Sequence, residues 1–131
     1  MHKTLSLAVA LLLCIPSFGQ SQMEMNLEAE SEYKQADNRL NAVYQKILND
    51  YESDQEFIKN LKASERLWIK FRDAEMLMKY PKNGEVRNGS VFPLCYYIYS
   101  EKLTEQRIET LNQWIDGHPE GEVCGGSVRL Q

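Results

Sequence analysis

The stretch QMEMNLEAESEYKQADNRLNAVYQKILNDY, residues 22–51, runs from Gln22 to Tyr51 without a glycine or a proline. Its apolar positions Tyr33, Ala36, Leu40, Val43 or Tyr44, Ile47 and Tyr51 step by three and four, the period of an amphipathic helix. Just downstream, Ser53-Asp54-Gln55-Glu56 reads as a capping box in which Ser53 and Glu56 close each other's free amides. A second helix is expected from there to about Lys79, with Phe57, Leu61, Trp68, Phe71 and Met78 on its inner stripe. Tyr80-Pro81-Lys82-Asn83-Gly84 stops it.

Pro81 to Ser90 is the longest loop, and Ser90 with Pro93 reads as the start of a third helix. Leu94, Tyr97 or Ile98, Leu103, Ile108, Leu111 and Ile115 form its stripe, less regular than the other two. Gly117-His118-Pro119 ends it, and a polar, glycine-rich tail follows. No strand-like alternation or internal repeat occurs. The expected fold class is all-α, a small antiparallel three-helix bundle over residues 21–116 with a C-terminal tail over 117–131.

The first twenty residues read as an export signal. His2 and Lys3 give a basic start, Leu5 to Ile15 are almost wholly apolar, and Ser17 to Gly19 offer small residues for cleavage. The apolar run falls short of the about 20 residues that span a bilayer. Leu13 before Cys14 does not fit a lipoprotein signal. The expected location is therefore periplasmic or secreted, with no membrane insertion once the signal is gone.

Without Lys3, the 15 basic residues become 14 against 19 acidic ones, a net charge of −5. Nucleic acid and anionic membrane reward clustered Lys and Arg, so neither is an expected partner. A basic protein partner would be favoured, although a moderate negative charge is also ordinary solubility chemistry.

Losing Cys14 with the signal leaves Cys95 and Cys124, and two cysteines in an oxidising compartment read as one disulfide. An unbroken helix from Cys95 to Asp116 would cover about 32 Å. The return to Cys124 reaches about 27 Å when fully extended, and the bridge adds about 6 Å. Closure then asks for a shortened helix, a tail folded back along it, or a bridge between two molecules. The folded-back tail is the expectation.

Groups that catalysis needs are scarce. His118 is the one histidine beyond the signal, and no zinc-like spacing of His, Cys and carboxylates occurs. The nucleophile elbow, the Walker loop and the dinucleotide fingerprint are missing. Glu24, Glu28 and Glu32 form one acidic stripe and Glu101, Glu105 and Glu109 another, most simply solvated faces. No enzyme and no cofactor are expected. In the densest cluster, Trp68 to Glu75, Trp68 and Phe71 share a face. Arg72 and Asp73 project about 100° apart, so they are expected to reach other helices. Asp37, Asn41, Arg72, Asp73, Glu75 and Arg107 are the candidates for a polar network that fixes helix register.

Several of these residues also carry a resemblance. Met25-Asn26, Ala36-Asp37, Leu40-Asn41 with Tyr44, Trp68-x-x-Phe71-Arg72-Asp73-Ala74-Glu75, Gly89-Ser90 with Pro93, and Leu103-Thr104-Glu105-Gln106-Arg107 with Leu111 occur in an order that resembles the LprI-like lysozyme-inhibitor domain. The likeness runs from about Gln22 to Asn112. It implies an exported helical domain whose family takes its name from a member that inhibits lysozyme. Where family members usually carry cysteines, this chain has Glu28, Met76 and Tyr99, so Cys95 and Cys124 are its own arrangement.

Recognition rather than catalysis is thus the expected function. In the first reading the chain plugs a lysozyme, a basic enzyme that cuts with two acids in a cleft, using the loop Lys82 to Ser90 and its Arg87, Asn88 and Ser90. The plainer reading of Gly89-Ser90 is a turn and a helix cap. In the second, the chain is a general envelope interaction module. Tyr96, Tyr97 and Tyr99 bunch at the start of helix three, cannot all face inward at that spacing, and are the residue type that anchors interfaces.

Overall fold

The computed structural model describes residues 21–131; the expected export signal lies outside the described residues. Three helices form: α1 (Gln22–Asp50), α2 (Gln55–Lys79) and α3 (Phe92–Asp116), with a short 3-10 turn at Glu85–Asn88 between α2 and α3. Among the described residues there is no strand, and the one β-type pairing is an isolated bridge between His118 and Leu130. No helix among them is long and apolar enough to cross a membrane.

Local chemistry sets the helix ends, two of them differently from expectation. A capping box does form, but at the start of α1, where the Ser21 hydroxyl accepts from Glu24 N–H at 3.1 Å and Ser21 N–H donates to the Glu24 carboxylate. At α2 the cap is Asp54 rather than Ser53: its carboxylate accepts from Phe57 N–H at 2.9 Å. The connecting turn closes first, through Asp54 N–H to Tyr51 C=O, and this moves the helix start one residue on. Ser90 does not cap α3 either. The preceding residue is Val91, with no side-chain cap, and Pro93 in the first turn replaces a free amide.

α2 runs antiparallel to its neighbours, and α1 and α3 are parallel. Asn26 meets Ser90, Tyr33 meets Tyr97 and Arg39 meets Glu105, whereas Glu75 meets Tyr99 and Glu65 meets Arg107. The closest backbone approach is between α1 and α3, and α2 comes near α3 at few points. Ala29 and Ala36, both buried, give α1 the short side chains that such an approach needs.

Two apolar clusters fill the bundle. The larger one joins Leu40, Ile47, Tyr51, Phe57, Leu61, Ile108 and Leu111 near the α1–α2 turn. A smaller, aromatic one gathers Met76, Tyr80 and Leu103 with Phe92, Tyr96 and Tyr99 near the α2–α3 loop. The inner stripe expected on α2 holds for Phe57 and Leu61, and Trp68 is half-buried. It fails for Phe71 and Met78, which are 60% and 77% exposed. The two sit about 40° and 20° from the exposed Leu67 around the helix, and Phe71 lies at the edge of the inner stripe, between Leu67 and Phe57.

The tail packs as a cap on the end of the bundle. Gly117 ends α3 with φ +75, and a Cβ there would lie 2.8 Å from the Arg129 carbonyl. From this turn His118 pairs with Leu130, Trp114 Nε1 donates to Ser127 Oγ at 3.0 Å, and Arg129 lies over the Tyr51 ring. This arrangement does not form the expected disulfide within one molecule. Cys95 is in the first turn of α3, Cys124 stays with the tail beyond its other end, and both are free thiols. The tail folds onto the helix end instead of back along α3, so the distance set by the helix is never closed.

Candidate functional site

The loop between α2 and α3 projects from one end of the bundle, and Arg87 is what holds it. Its guanidinium donates to the Tyr80 carbonyl (3.2 and 2.6 Å) and to the Pro81 carbonyl (3.0 Å), and lies 5.2 Å from the Phe92 ring. A cation on the last carbonyls of a helix also meets the negative end of its dipole. Asn26 of α1 donates to the Ser90 carbonyl at 2.9 Å and pins the far end of the loop. Between these ties Lys82, Asn83, Glu85, Val86, Asn88, Ser90 and Val91 are all exposed. Of the three loop residues expected to make contacts, Asn88 and Ser90 are free to do so, and Arg87 is committed to the loop itself.

Beyond Ser90 the surface continues as a shallow groove between α1 and α3. Met25, Ala29, Leu94 and Ile98 form its floor, and Glu28, Glu32 and Glu101 stand along it. The two acidic stripes of the sequence therefore face one another across an apolar strip, which neither stripe shows alone. Glu105 turns instead to Arg39 of α1.

The tyrosines sit differently from the exposed anchors expected. Tyr96, Tyr97 and Tyr99 are each half-buried. Tyr96 packs against Tyr80 and Phe92, and Tyr97 stacks on Tyr33 at 6.0 Å. Tyr99 donates to the Glu75 carboxylate at 2.5 Å, and Lys79 Nζ lies 3.6 Å from its ring centroid. The bond to Glu75, then burial, hold the Tyr99 phenol above its ordinary value. Burial does the same for Tyr33, Tyr44 and Tyr80. At the start of α3 the bunching serves to wedge the loop end of the bundle on all sides.

Between the two apolar clusters lies a polar layer centred on Trp68, whose ring has Arg72 at 5.2 Å and Arg107 at 5.7 Å. Arg107 donates twice to Glu65 Oε2, at 3.0 and 2.8 Å, and once to Ser64 Oγ. Arg72 reaches Asp37 of α1 at 3.8 Å, as expected, but it also bonds Asp73 at 3.1 and 3.0 Å. A long arginine curls along its own helix and closes the angle that separates the two Cβ directions. Asn41 is exposed and stands outside the network. The sequence reading missed Glu65, although its place on the face of Leu61 and Trp68, a carboxylate on an apolar stripe, was the available signal.

A cavity of about 450 Å³ lies between α2 and α3 beneath the tail, over Phe57, Leu61, Leu111 and Trp114. Among the described residues no group of His, Cys, Asp and Glu is arranged to hold a metal ion.

The sequence profile of the family described as "Lysozyme inhibitor LprI" matches residues 14–111, well over half of the chain. An uncharacterized protein of Rhizobium meliloti (strain 1021) is 27% identical, over 83% of this chain and 93% of its own length. No solved structure matches.

Proposed function

The chain belongs to the LprI lysozyme-inhibitor family, and on that premise we propose that it is an exported, non-catalytic inhibitor that seats the loop Lys82–Val91 in the cleft of a lysozyme-type enzyme. The observation that carries this reading is the tethering of the loop: Arg87 and Asn26 tie down its two ends and leave the residues between them exposed. A loop held in one shape loses little conformational entropy on binding, and preorganisation of that kind is what tight inhibitors use. The Asn88 amide, the Ser90 hydroxyl and the Lys82 ammonium are donors, and two cleft carboxylates are acceptors. The acidic groove that begins beside Ser90 suits the basic surface of a lysozyme and speeds encounter.

The test uses the chain from Ser21 onward in a turbidity assay of cell-wall lysis, against a panel of lysozymes. Lysis of at least one type is expected to slow in proportion to added protein. The double variant Asn88→Ala, Ser90→Ala is expected to weaken that effect without loss of helicity. Undiminished lysis by every enzyme at large molar excess rejects inhibition. Full inhibition by the double variant rejects the loop.

A further inference from the structure

α2 has two apolar faces, and its own bundle uses one of them. On the outer face stand Leu67, Phe71, Ala74 and Met78; Leu67 is 66% exposed, Phe71 60% and Met78 77%, and Ala74 is exposed too. Their spacing of four, three and four is the seam of a helix pair and extends over about 17 Å of the helix. A stripe of this kind on a soluble helix marks a surface that meets something.

We propose that α2 pairs with α2 of a second copy of this chain, antiparallel, about a two-fold axis between Phe71 and Ala74. The stripe is complementary to itself in that register. Phe71 of each copy fits over Ala74 of the other, the large side chain in the space left by the small one, and Leu67 meets Met78. A two-fold pairing brings like edges of the two helices together. Lys70 then lies opposite Leu77 and Asp73 of the second copy. Its stem covers Leu77, itself 45% exposed, and its ammonium joins the Arg72 guanidinium at the Asp73 carboxylate, which is 62% exposed, twice by symmetry.

Stable interfaces bury about 800 Å² per partner. Three large side chains and an alanine per copy supply less, so the dimer is a weak one, with a dissociation constant on the order of 10 to 100 μM. The pairing uses no residue of the loop or the acidic groove and does not depend on the inhibitor reading.

Sedimentation equilibrium of the chain from Ser21 onward, with reductant present so that Cys124 cannot bridge copies, tests it over about 1 to 500 μM. The expected result is a monomer at the low end and a dimer at the high end. Phe71→Lys is expected to weaken association at least about tenfold with unchanged helicity, the loss that burying an unpaired charge at the seam implies. Ala74→Phe separates packing from mere stickiness: it adds apolar surface yet fills the space Phe71 needs, and so weakens the dimer. The exchange Phe71→Ala with Ala74→Phe restores it. A monomer at every concentration, or tighter association by Ala74→Phe alone, overturns the proposal.

Discussion

The pair Glu65–Arg107 is the most exposed point of the fold's energetics, because each side chain keeps only 11% of its surface accessible. Replacing Arg107 by Leu strands the Glu65 carboxylate between α2 and α3, where it has accepted two guanidinium bonds, and leaves Trp68 with one cation instead of two. Breaking a buried pair from one side costs about 3–5 kcal/mol, since the remaining charge is desolvated without compensation. Glu65→Leu should cost about the same for the mirrored reason. The double variant removes both charges and puts apolar volume next to Leu61, Ile108 and Leu111, so it is expected within about 1 kcal/mol of the parent. Domains of this size have about 5–15 kcal/mol in all, and either single change therefore takes a large part of it. Urea unfolding followed by circular dichroism reads the effect. With a slope of about 1.5 kcal/mol per molar, each single variant's midpoint falls by roughly 2–3 M and the double variant's by less than about 1 M. The reasoning fails if a single change costs under about 1 kcal/mol, or if the double variant is as unstable as either single one.

Arg87→Ala is expected to release the loop and not the bundle. Proteolysis within residues 82–91 should accelerate while the urea midpoint moves little, because the lost bonds are local ones at an exposed edge; an unchanged cleavage rate would count against Arg87 as the tie. In alkali, the phenols of Tyr33, Tyr44, Tyr80 and Tyr99 are held above their ordinary value, so their contribution is intact below the unfolded pKa of about 10 and is lost as pH rises through their native values. Phenolate absorbance should show part of the seven tyrosines ionising late and together with unfolding, whereas a single ordinary titration would refute this. Cys124 is exposed and Cys95 half-buried, so unreduced native protein should offer one fast and one slow thiol to a thiol reagent. Finding no reactive thiol would restore the disulfide.

Helix number, helix limits and most of the core were legible in the sequence because period and breakers are local properties. α1 was read within a residue of its ends, and Gly117 marks the stop of α3 as expected. What failed did so where two local solutions were equally good. Ser53 and Asp54 are both sound caps, and the turn from Tyr51 decided between them. On α2, Phe57, Leu61 and Trp68 share an angular sector with Phe71 closely enough that periodicity alone cannot separate an inner stripe from an outer one. Position relative to α3 can, and that is tertiary information. The loop site was legible as a loop, but the role of Arg87 was not, because its acceptors are backbone carbonyls that no residue pattern records. The groove was half legible, as two acidic stripes whose meeting depends on α1 and α3 being parallel neighbours.

That parallel pairing also bears on how the bundle holds its α2–α3 loop. Short side chains at Ala29 and Ala36 let α1 lie close to α3, while α2 adds to its apolar packing three polar contacts made by long side chains: Arg107 to Glu65, Arg72 to Asp37, Tyr99 to Glu75. A helix tied by a polar layer has its register fixed by charge, since a one-turn slip of about 5.4 Å would part Arg107 from Glu65 and Tyr99 from Glu75 together. Fixing α2 in this way fixes Tyr80 and Pro81 at its end, and through Arg87 it fixes the loop. The polar layer is therefore the element on which the loop's single shape depends. A variant that loosens Glu65–Arg107 without unfolding the bundle should therefore speed proteolysis within residues 82–91 before any residue of the loop is touched, and weaken with it the inhibition proposed for the loop.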